Sequence, residues 1–508
     1  MRKVVIIGSG FAGLSAACFL AKAGYTVSVL EKQSTPGGRA RQLIEDGFVF
    51  DMGPSWYWMP EVFERFFNCF GKKTSDYYQL QRLDPSYRIY WPNDEMDVPA
   101  DYTELKKLFE SIEPGSGIEL DQFIAEAAYK YNVGINKLVH KPGRSLIEFL
   151  DPEVIKGVFR LDVFTNMKKH VAKYFGHPKL QEMMEFPVLF LGALPQQTPA
   201  LYSLMNYADI KLGTWYPNGG MYKIVEGMYK LSIELGVKFH FNCDVTAINI
   251  NQGIAKSVSA QSTINHQSST INFDADVVVG GADYHFIETK LLPKNYRTYS
   301  EAYWNKRVMA PSCLLYYIGL NKKLKGVQHH ALFFDTDFEV HGNEIYTRPK
   351  WPTDPLFYVC TPSVTDDTVA PEGYENLFFL IPVAAGLKED TEALRDKYFD
   401  AIVERFENKI GQQIKESIVY KKSYSVSNFV NDYNSFKGNA YGLANTLMQT
   451  AILKPSIKSK KVKNLFYTGQ LTVPGPGVPP SLISGEVVAK EIIKNVAIGF
   501  IVILNLLF

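Results

Sequence analysis

The chain has 508 residues, 46% hydrophobic and 21% charged, which excludes wholesale disorder and leaves material for a large core with an internal cavity. Basic and acidic side chains balance at 54 against 53, so there is no cationic field for a phosphate backbone, and no nucleic acid is expected as a partner. Five scattered cysteines without a CxxC pair, and histidines without HxxxH or HExxH spacing, point to neither a disulfide framework nor a metal site.

Lys3 to Ile7 is a short apolar run of the kind that forms a strand buried on both faces. It follows the start at once, without the apolar core of a secretory leader, so no signal peptide is expected. Gly8-Ser9-Gly10-Phe11-Ala12-Gly13 comes next, then an Ala/Leu-rich helix stopped by Gly24, then a second strand from Thr26 to Leu30 ending at Glu31. Each residue type has its own task in this βαβ unit. Gly8 permits the tight turn, Gly10 lets backbone approach a pyrophosphate, and Gly13 lets the helix sit close on the strand. The helix N-terminus offers unpaired N–H groups to phosphates, and Glu31 offers its carboxylate to ribose hydroxyls. Pro36-Gly37-Gly38-Arg39 follows, with Arg39 suited to a phosphate. The Asp46-Gly47 pair predicts a hairpin, after which comes Asp51-Met52-Gly53-Pro54-Ser55.

From about 60 to 235 the pattern is mainly helical and rich in rings; Phe63, Phe66, Phe67 and Phe70 recur at helical spacing, as core residues do. Tyr202, Trp215 and Tyr216 are further large rings of this stretch and candidates to line an apolar cavity. A helix is expected over Tyr222 to Leu235, then strands at Val237 to Phe241 and Val245 to Ile250. Asp276 to Asp283 reads as a buried-strand run ending in glycines and returning to the first sheet, and short β runs between about 305 and 425 predict a second sheet.

Near the C-terminus, Asn464 to Gln470 reads as a strand entering a turn, followed by a Gly- and Pro-dense run and a helix from Ser481 to Asn495. The tail 496–508 is apolar apart from Asn505 but too short to cross a bilayer alone. Lys454, Lys458, Lys460, Lys461 and Lys463 cluster near it and suit either a solvated loop or anionic headgroups.

The combination of Val4 to Gly13, Glu31, Gly37-Gly38-Arg39, Gly53-Pro54-Ser55, Tyr216 to Met221 and Gly469 to Gly485 resembles the bacterial-type phytoene desaturases, carotenoid and retinoid oxidoreductases of the FAD-dependent amine oxidase-like superfamily. The resemblance runs from residue 3 to about 494, and Pro474-Gly475-Pro476-Gly477-Val478-Pro479 is its most specific part. It implies non-covalent FAD held by Gly8, Gly10, Gly13, Glu31, Gly38, Arg39, Gly53, Pro54, Val245, Gly469, Gln470, Gly477, Val478 and Pro479. Gln470 departs from the acidic residue or alanine that many superfamily members carry there.

The implied fold is α/β, α+β overall. A discontinuous Rossmann-like FAD-binding domain (1–60, 230–290 and 455–495) would carry an inserted mixed helix/sheet substrate domain (61–229 and 291–454). An apolar membrane-facing helical region near 60–200 and the apolar tail complete it. The implied activity is desaturation of phytoene to a lycopene-type polyene, by hydride transfer to flavin N5 and proton loss. Other expectations are peripheral or monotopic association with the cytoplasmic side of a membrane, and quinone or oxygen as electron acceptor, since no second GxGxxG unit indicates a nicotinamide domain. No catalytic base stands out. Alternatives are later desaturation, end-group oxidation or isomerisation of a carotenoid, and, from another class, a flavin amine or porphyrinogen oxidase.

Overall fold

The computed structural model describes residues 2–145, 148, 162, 164–264 and 267–507, the last helix by its backbone alone beyond residue 495. Expectations for the side chains of the tail 496–508 therefore fall outside the described residues.

Apolar runs at Lys3–Ile7 and Val277–Gly280 form neighbouring strands of a five-stranded parallel sheet. Its order is Leu465–Tyr467, Val277–Gly280, Lys3–Ile7, Thr26–Leu30 and Lys238–His240. Strand alternation sends Val4, Ile6, Val27 and Val29 to one face, where they meet Leu14 and Ala17 of the helix Phe11–Lys22 and Leu482 of the helix Val478–Leu507. Val5, Ile7 and Leu30 point the other way, onto Val245, Ile248 and Val258 of a three-stranded antiparallel sheet (Cys243–Asn251, Ile254–Ile264, Gln267–Asp274). Burial on both faces is why these strands read as unbroken apolar runs.

The first and last helices touch backbone to backbone: a Cβ on Gly485 would stand 2.3 Å from the Ala12 carbonyl oxygen. Arg65, on the helix Pro60–Asn68, makes a two-pronged ion pair with Glu486 at 2.7 and 2.9 Å, and Lys490 adds a third contact at 2.6 Å.

The second sheet has seven strands in the order Ile418–Tyr424, Ser312–Leu320, Glu375–Val383, Phe357–Cys360, His330–Phe333, Tyr87–Trp91 and Asp94–Val98. All pairs are antiparallel except His330–Phe333 with Tyr87–Trp91. The last two strands come from the stretch whose pattern is mainly helical; it does hold the helices Pro60–Asn68, Tyr102–Ile112 and Ser116–Val133. The helix Glu392–Ile410 covers one face of this sheet with Phe399, Ile402 and Phe406. The opposite face looks toward the first sheet, and the cavity lies between. The Asp46-Gly47 hairpin forms as expected, with both residues at positive φ (51° and 79°). No described helix is long and apolar enough to cross a membrane. Lys454 departs from the exposed lysine cluster: it is buried beside Gly475, donates to Asn445 Oδ1 at 2.9 Å, and burial pulls its pKa down to about 7.

Candidate functional site

One continuous cavity runs from the C-terminal edge of the parallel sheet to the inner face of the seven-stranded sheet. Gly8, Gly10, Glu31, Gly38, Arg39, Gly53, Pro54, Val245, Gly469, Gln470, Gly477, Val478 and Pro479 all line it. Gly13 does not; its Cβ would lie 2.1 Å from the Gly8 carbonyl oxygen, so its role is to let helix and turn meet. Tyr202, Trp215 and Tyr216 are not among the lining residues. Trp215 stacks under the Arg82 guanidinium and donates its indole N–H to the Leu212 carbonyl, while Tyr216 is buried with its hydroxyl on Asp366.

At the sheet end, a Cβ on Gly10 would point into open space, and the first turn of the helix Phe11–Lys22 has neither a side-chain cap nor an acidic residue. Its N–H groups therefore face the cavity uncompensated. Glu31 is buried, and its Oε2 accepts from Ser9 N at 2.8 Å and Ser9 Oγ at 2.7 Å, while Oε1 accepts from Gln33 N at 2.9 Å. A carboxylate has about four acceptor sites, so the remaining capacity suits one further donor rather than a pair. Val245 enters the cavity at a β-bulge in the strand Cys243–Asn251.

Arg39 crosses the middle. Its Nη2 donates to Ser435 Oγ at 2.9 Å, and its Nε is buried without a hydrogen-bond partner. Burial pulls the guanidinium down from its ordinary pKa, and the charge of Asp283 pushes it back. With its amide oriented to satisfy its neighbours, Gln470 presents its oxygen to both Arg39 amino groups at 3.1 and 3.2 Å and its nitrogen to the Tyr441 carbonyl at 3.2 Å. Gln470 thus fixes the guanidinium, a contact that residue type alone does not reveal. A Cβ on Gly53 would stand 2.4 Å from the Arg39 carbonyl oxygen, so glycine is needed for that segment to pass. Across the cavity, Gly477 at φ 108° turns the chain into the helix Val478–Leu507, whose N-terminus also faces inward.

An open glycine cradle, two helix N-termini, a buried acidic side chain and a buried guanidinium with an unpartnered N–H fit a dinucleotide with a pyrophosphate bridge.

Beyond Pro54 the walls become apolar: Trp56, Trp58, Phe186, Leu332, Phe334 and Tyr358 are prominent. Among the described residues, the lining acids, Glu31, Asp244, Asp283 and Asp432, all belong to the nucleotide end. Among the same residues, His341 is the ionisable side chain of the apolar end apart from tyrosines and Cys313, and both its ring nitrogens are occupied. Nε2 donates to the Pro382 carbonyl at 2.9 Å and Nδ1 accepts from Leu356 N at 3.0 Å; burial holds its pKa down at about 4. Sequence reasoning missed Trp56, Trp58, Phe334 and Tyr358. Trp56 directly follows Gly53-Pro54-Ser55, which was a usable signal; the others depend on long-range strand pairing.

The family model for flavin-containing amine oxidoreductases matches residues 11–493. The chain is 42% identical over 97% of its length to a carotenoid 3,4-desaturase of Haloarcula japonica, covering 98% of that protein. It is 31% identical over 97% of its length to a zeta-carotene-forming phytoene desaturase of Myxococcus xanthus, covering 94% of it. A redesigned putrescine oxidase shares the fold with a TM-score of 0.61 at 13% identity, over 97% of this chain and 99% of the other. The chain therefore belongs to the flavin-containing amine oxidoreductases, as an FAD-dependent oxidoreductase on the branch that includes the carotenoid desaturases.

Proposed function

We propose that this enzyme desaturates a long isoprenoid polyene of carotenoid biosynthesis. The observation that carries the reading is the cavity itself: a polar nucleotide end opens directly into a limb walled by rings and aliphatic side chains. An amine or porphyrinogen substrate would ask for polar partners there, and the lining acids lie elsewhere. Two assignments of the step compete. Phytoene to a lycopene-type polyene is the expectation from the sequence; a 3,4-type desaturation of an already conjugated carotenoid is favoured by the relative at 42% identity.

Bound FAD supplies a two-electron acceptor for the hydride that leaves the substrate. Gly10 and the two helix N-termini would hold its phosphates, Arg39 an anionic oxygen, and Glu31 a ribose hydroxyl. The apolar walls exclude water and position the chain. Trp56, Phe186, Phe334 and Tyr358 present ring faces that favour positive charge developing on an allylic carbon. With His341 engaged at both nitrogens, the described residues of the limb offer neither a free histidine nor a carboxylate to take the proton.

The proposal extends to the domain plan: a discontinuous flavin-binding unit carrying an inserted substrate unit with an apolar membrane-facing region. Support comes from the five-stranded sheet, whose strands come from three separated stretches of chain. Peripheral or monotopic attachment to the cytoplasmic side of a membrane is part of the same reading. Exposed Phe164 and Met448 (85% and 71% accessible) and the apolar composition of 496–508 support it. Quinone or oxygen is the proposed electron acceptor.

Expression in cells that accumulate phytoene, and separately in cells that accumulate lycopene, followed by pigment analysis, tests the function. New colour from phytoene supports the first assignment; red-shifted lycopene products alone support the second. Unchanged pigments in both hosts, with FAD-loaded protein present, overturn the polyene reading.

A further inference from the structure

Beneath the apolar limb, outside the cavity, lie two histidines and a cysteine that the reaction does not use. His330 and Cys360 face each other across the antiparallel pair His330–Phe333 and Phe357–Cys360. His329 precedes the strand, and its ring meets the His330 ring edge-on at 4.5 Å. All three residues are buried, at 4, 0 and 4% accessible for His329, His330 and Cys360.

Each imidazole is tied at one nitrogen only. His330 Nδ1 is 2.6 Å from the Tyr358 hydroxyl, and His329 Nδ1 is 2.8 Å from Thr365 Oγ1. Both Nε2 atoms are buried without a hydrogen-bond partner. Cys360 lies beside them: one ligand atom from each of the three residues falls within 4.8 Å of the other two. Two orphaned imidazole nitrogens in one core are costly unless something accepts their lone pairs. Histidines that bind metal show this arrangement: the far nitrogen is held by an outer hydrogen bond, which fixes ring orientation and tautomer.

We infer that His329, His330 and Cys360 form a buried zinc site, with the thiolate and one ring nitrogen of each histidine as ligands. A thiolate with two neutral imidazoles is a donor set zinc favours, and three protein ligands leave one tetrahedral position for a water. Bond lengths of about 2.0–2.3 Å require the donors to draw inward by roughly half an ångström to an ångström, within reach of side-chain rotation. The Asp366 carboxylate, which accepts from the Tyr216 hydroxyl beside His329, offsets part of the added charge.

The site's role is architectural. It clamps two strands whose neighbours wall the substrate limb: Trp56 stacks flat on His330 at 4.2 Å, and Tyr358 holds that same ring. The inference does not depend on which polyene is the substrate, because metal content is read without turnover.

The test uses the full FAD-loaded chain, equilibrated with Zn2+, freed of excess and measured for metal by plasma mass spectrometry. About one zinc per chain is expected. His330→Ala and Cys360→Ser should each lower it at least tenfold, and Thr365→Val, which removes only the outer hydrogen bond, should weaken binding about 10–100-fold. Loading with Co2+ should give a thiolate-to-cobalt charge-transfer band that Cys360→Ser abolishes. If a histidine variant fails to fold, the Thr365→Val affinity and the cobalt spectrum of the unaltered chain still decide. Zinc below a tenth of an equivalent, no charge-transfer band, or equal zinc in Cys360→Ser would each overturn the site.

Discussion

The contact of Gly485 with the first helix sets a quantitative expectation for Gly485→Ala. The added methyl would stand 2.3 Å from the Ala12 carbonyl oxygen, 2.7 Å from Ser15 Cβ and 2.8 Å from Ala16 N. Two of these neighbours are backbone, so neither can swing aside. Ordinary contact begins at about 3.4 Å, and the helices must part by about 1 Å. Overpacking of this kind costs about 1–3 kcal/mol, which for a chain this large lowers Tm by about 1–3 °C. The displacement also moves two helix N-termini, those after Gly10 and Gly477, that converge on the cofactor end. A misfit of about 1.4 kcal/mol there weakens FAD tenfold. Thermal denaturation, with FAD absorbance per chain after gel filtration, measures both. A Gly485→Ala protein with unchanged Tm and full FAD would show that the helices have slack and that the close-contact argument is wrong.

Glu31→Ala should lose FAD on purification, falling at least about tenfold in affinity, since it removes the carboxylate that holds Ser9 and faces the ribose position; retention of stoichiometric flavin refutes the assignment. Phe334→Trp narrows the apolar limb and should lower kcat/KM for a long polyene about 5–100-fold, the equivalent of about 1–3 kcal/mol of overpacking. FAD content should stay unchanged; undiminished turnover would place the substrate elsewhere. Arg65→Met should destabilise at neutral pH by about 1.5–3 kcal/mol, the worth of hydrogen bonds to a charged group. Burial pushes the Glu486 carboxyl up, but hydrogen bonds from Arg65 and Lys490 outweigh it and hold its pKa below the ordinary 4.5. A depressed carboxylate pKa gives stability that is present above 4.5 and lost as pH falls below it. The gap between wild type and variant in urea unfolding should therefore be largest near neutrality and shrink in acid; a gap independent of pH refutes the ion-pair account.

The nucleotide end is legible in the sequence because backbone dictates it. Gly8 at φ 94°, Gly13 against a carbonyl oxygen and Gly53 against another are positions where other residues do not fit, so composition at fixed spacing reveals them. The substrate end is not legible in the same way. With 33 phenylalanines and 30 tyrosines, ring type carries little information about which ring faces a cavity. Tyr202, Trp215 and Tyr216 were reasonable candidates by type, but the lining rings are those that pairing of Tyr87–Trp91 with His330–Phe333 gathers around Trp56. Long-range neighbours are hidden for the same reason: His330 and Cys360 lie 30 residues apart and become neighbours only through strand register. Lys454 sits among lysines in the chain yet packs inside, since its surroundings come from the folded Gly475 turn.

The order of strands in the parallel sheet bears on how the chain is made. The glycine fingerprint and Glu31 leave the ribosome long before the edge strand Leu465–Tyr467 and the helix packed on Ala12. At about 5–20 residues per second, roughly 20–90 s separate the synthesis of Leu30 from that of Leu465. Throughout that interval Gly10 faces no opposing helix N-terminus, and Val277–Gly280, once made, lacks its outer neighbour. The nascent chain must therefore wait with an unsealed strand edge, and FAD would act as a late seal: it can be gripped from both sides only once the helix after Gly477 has been made.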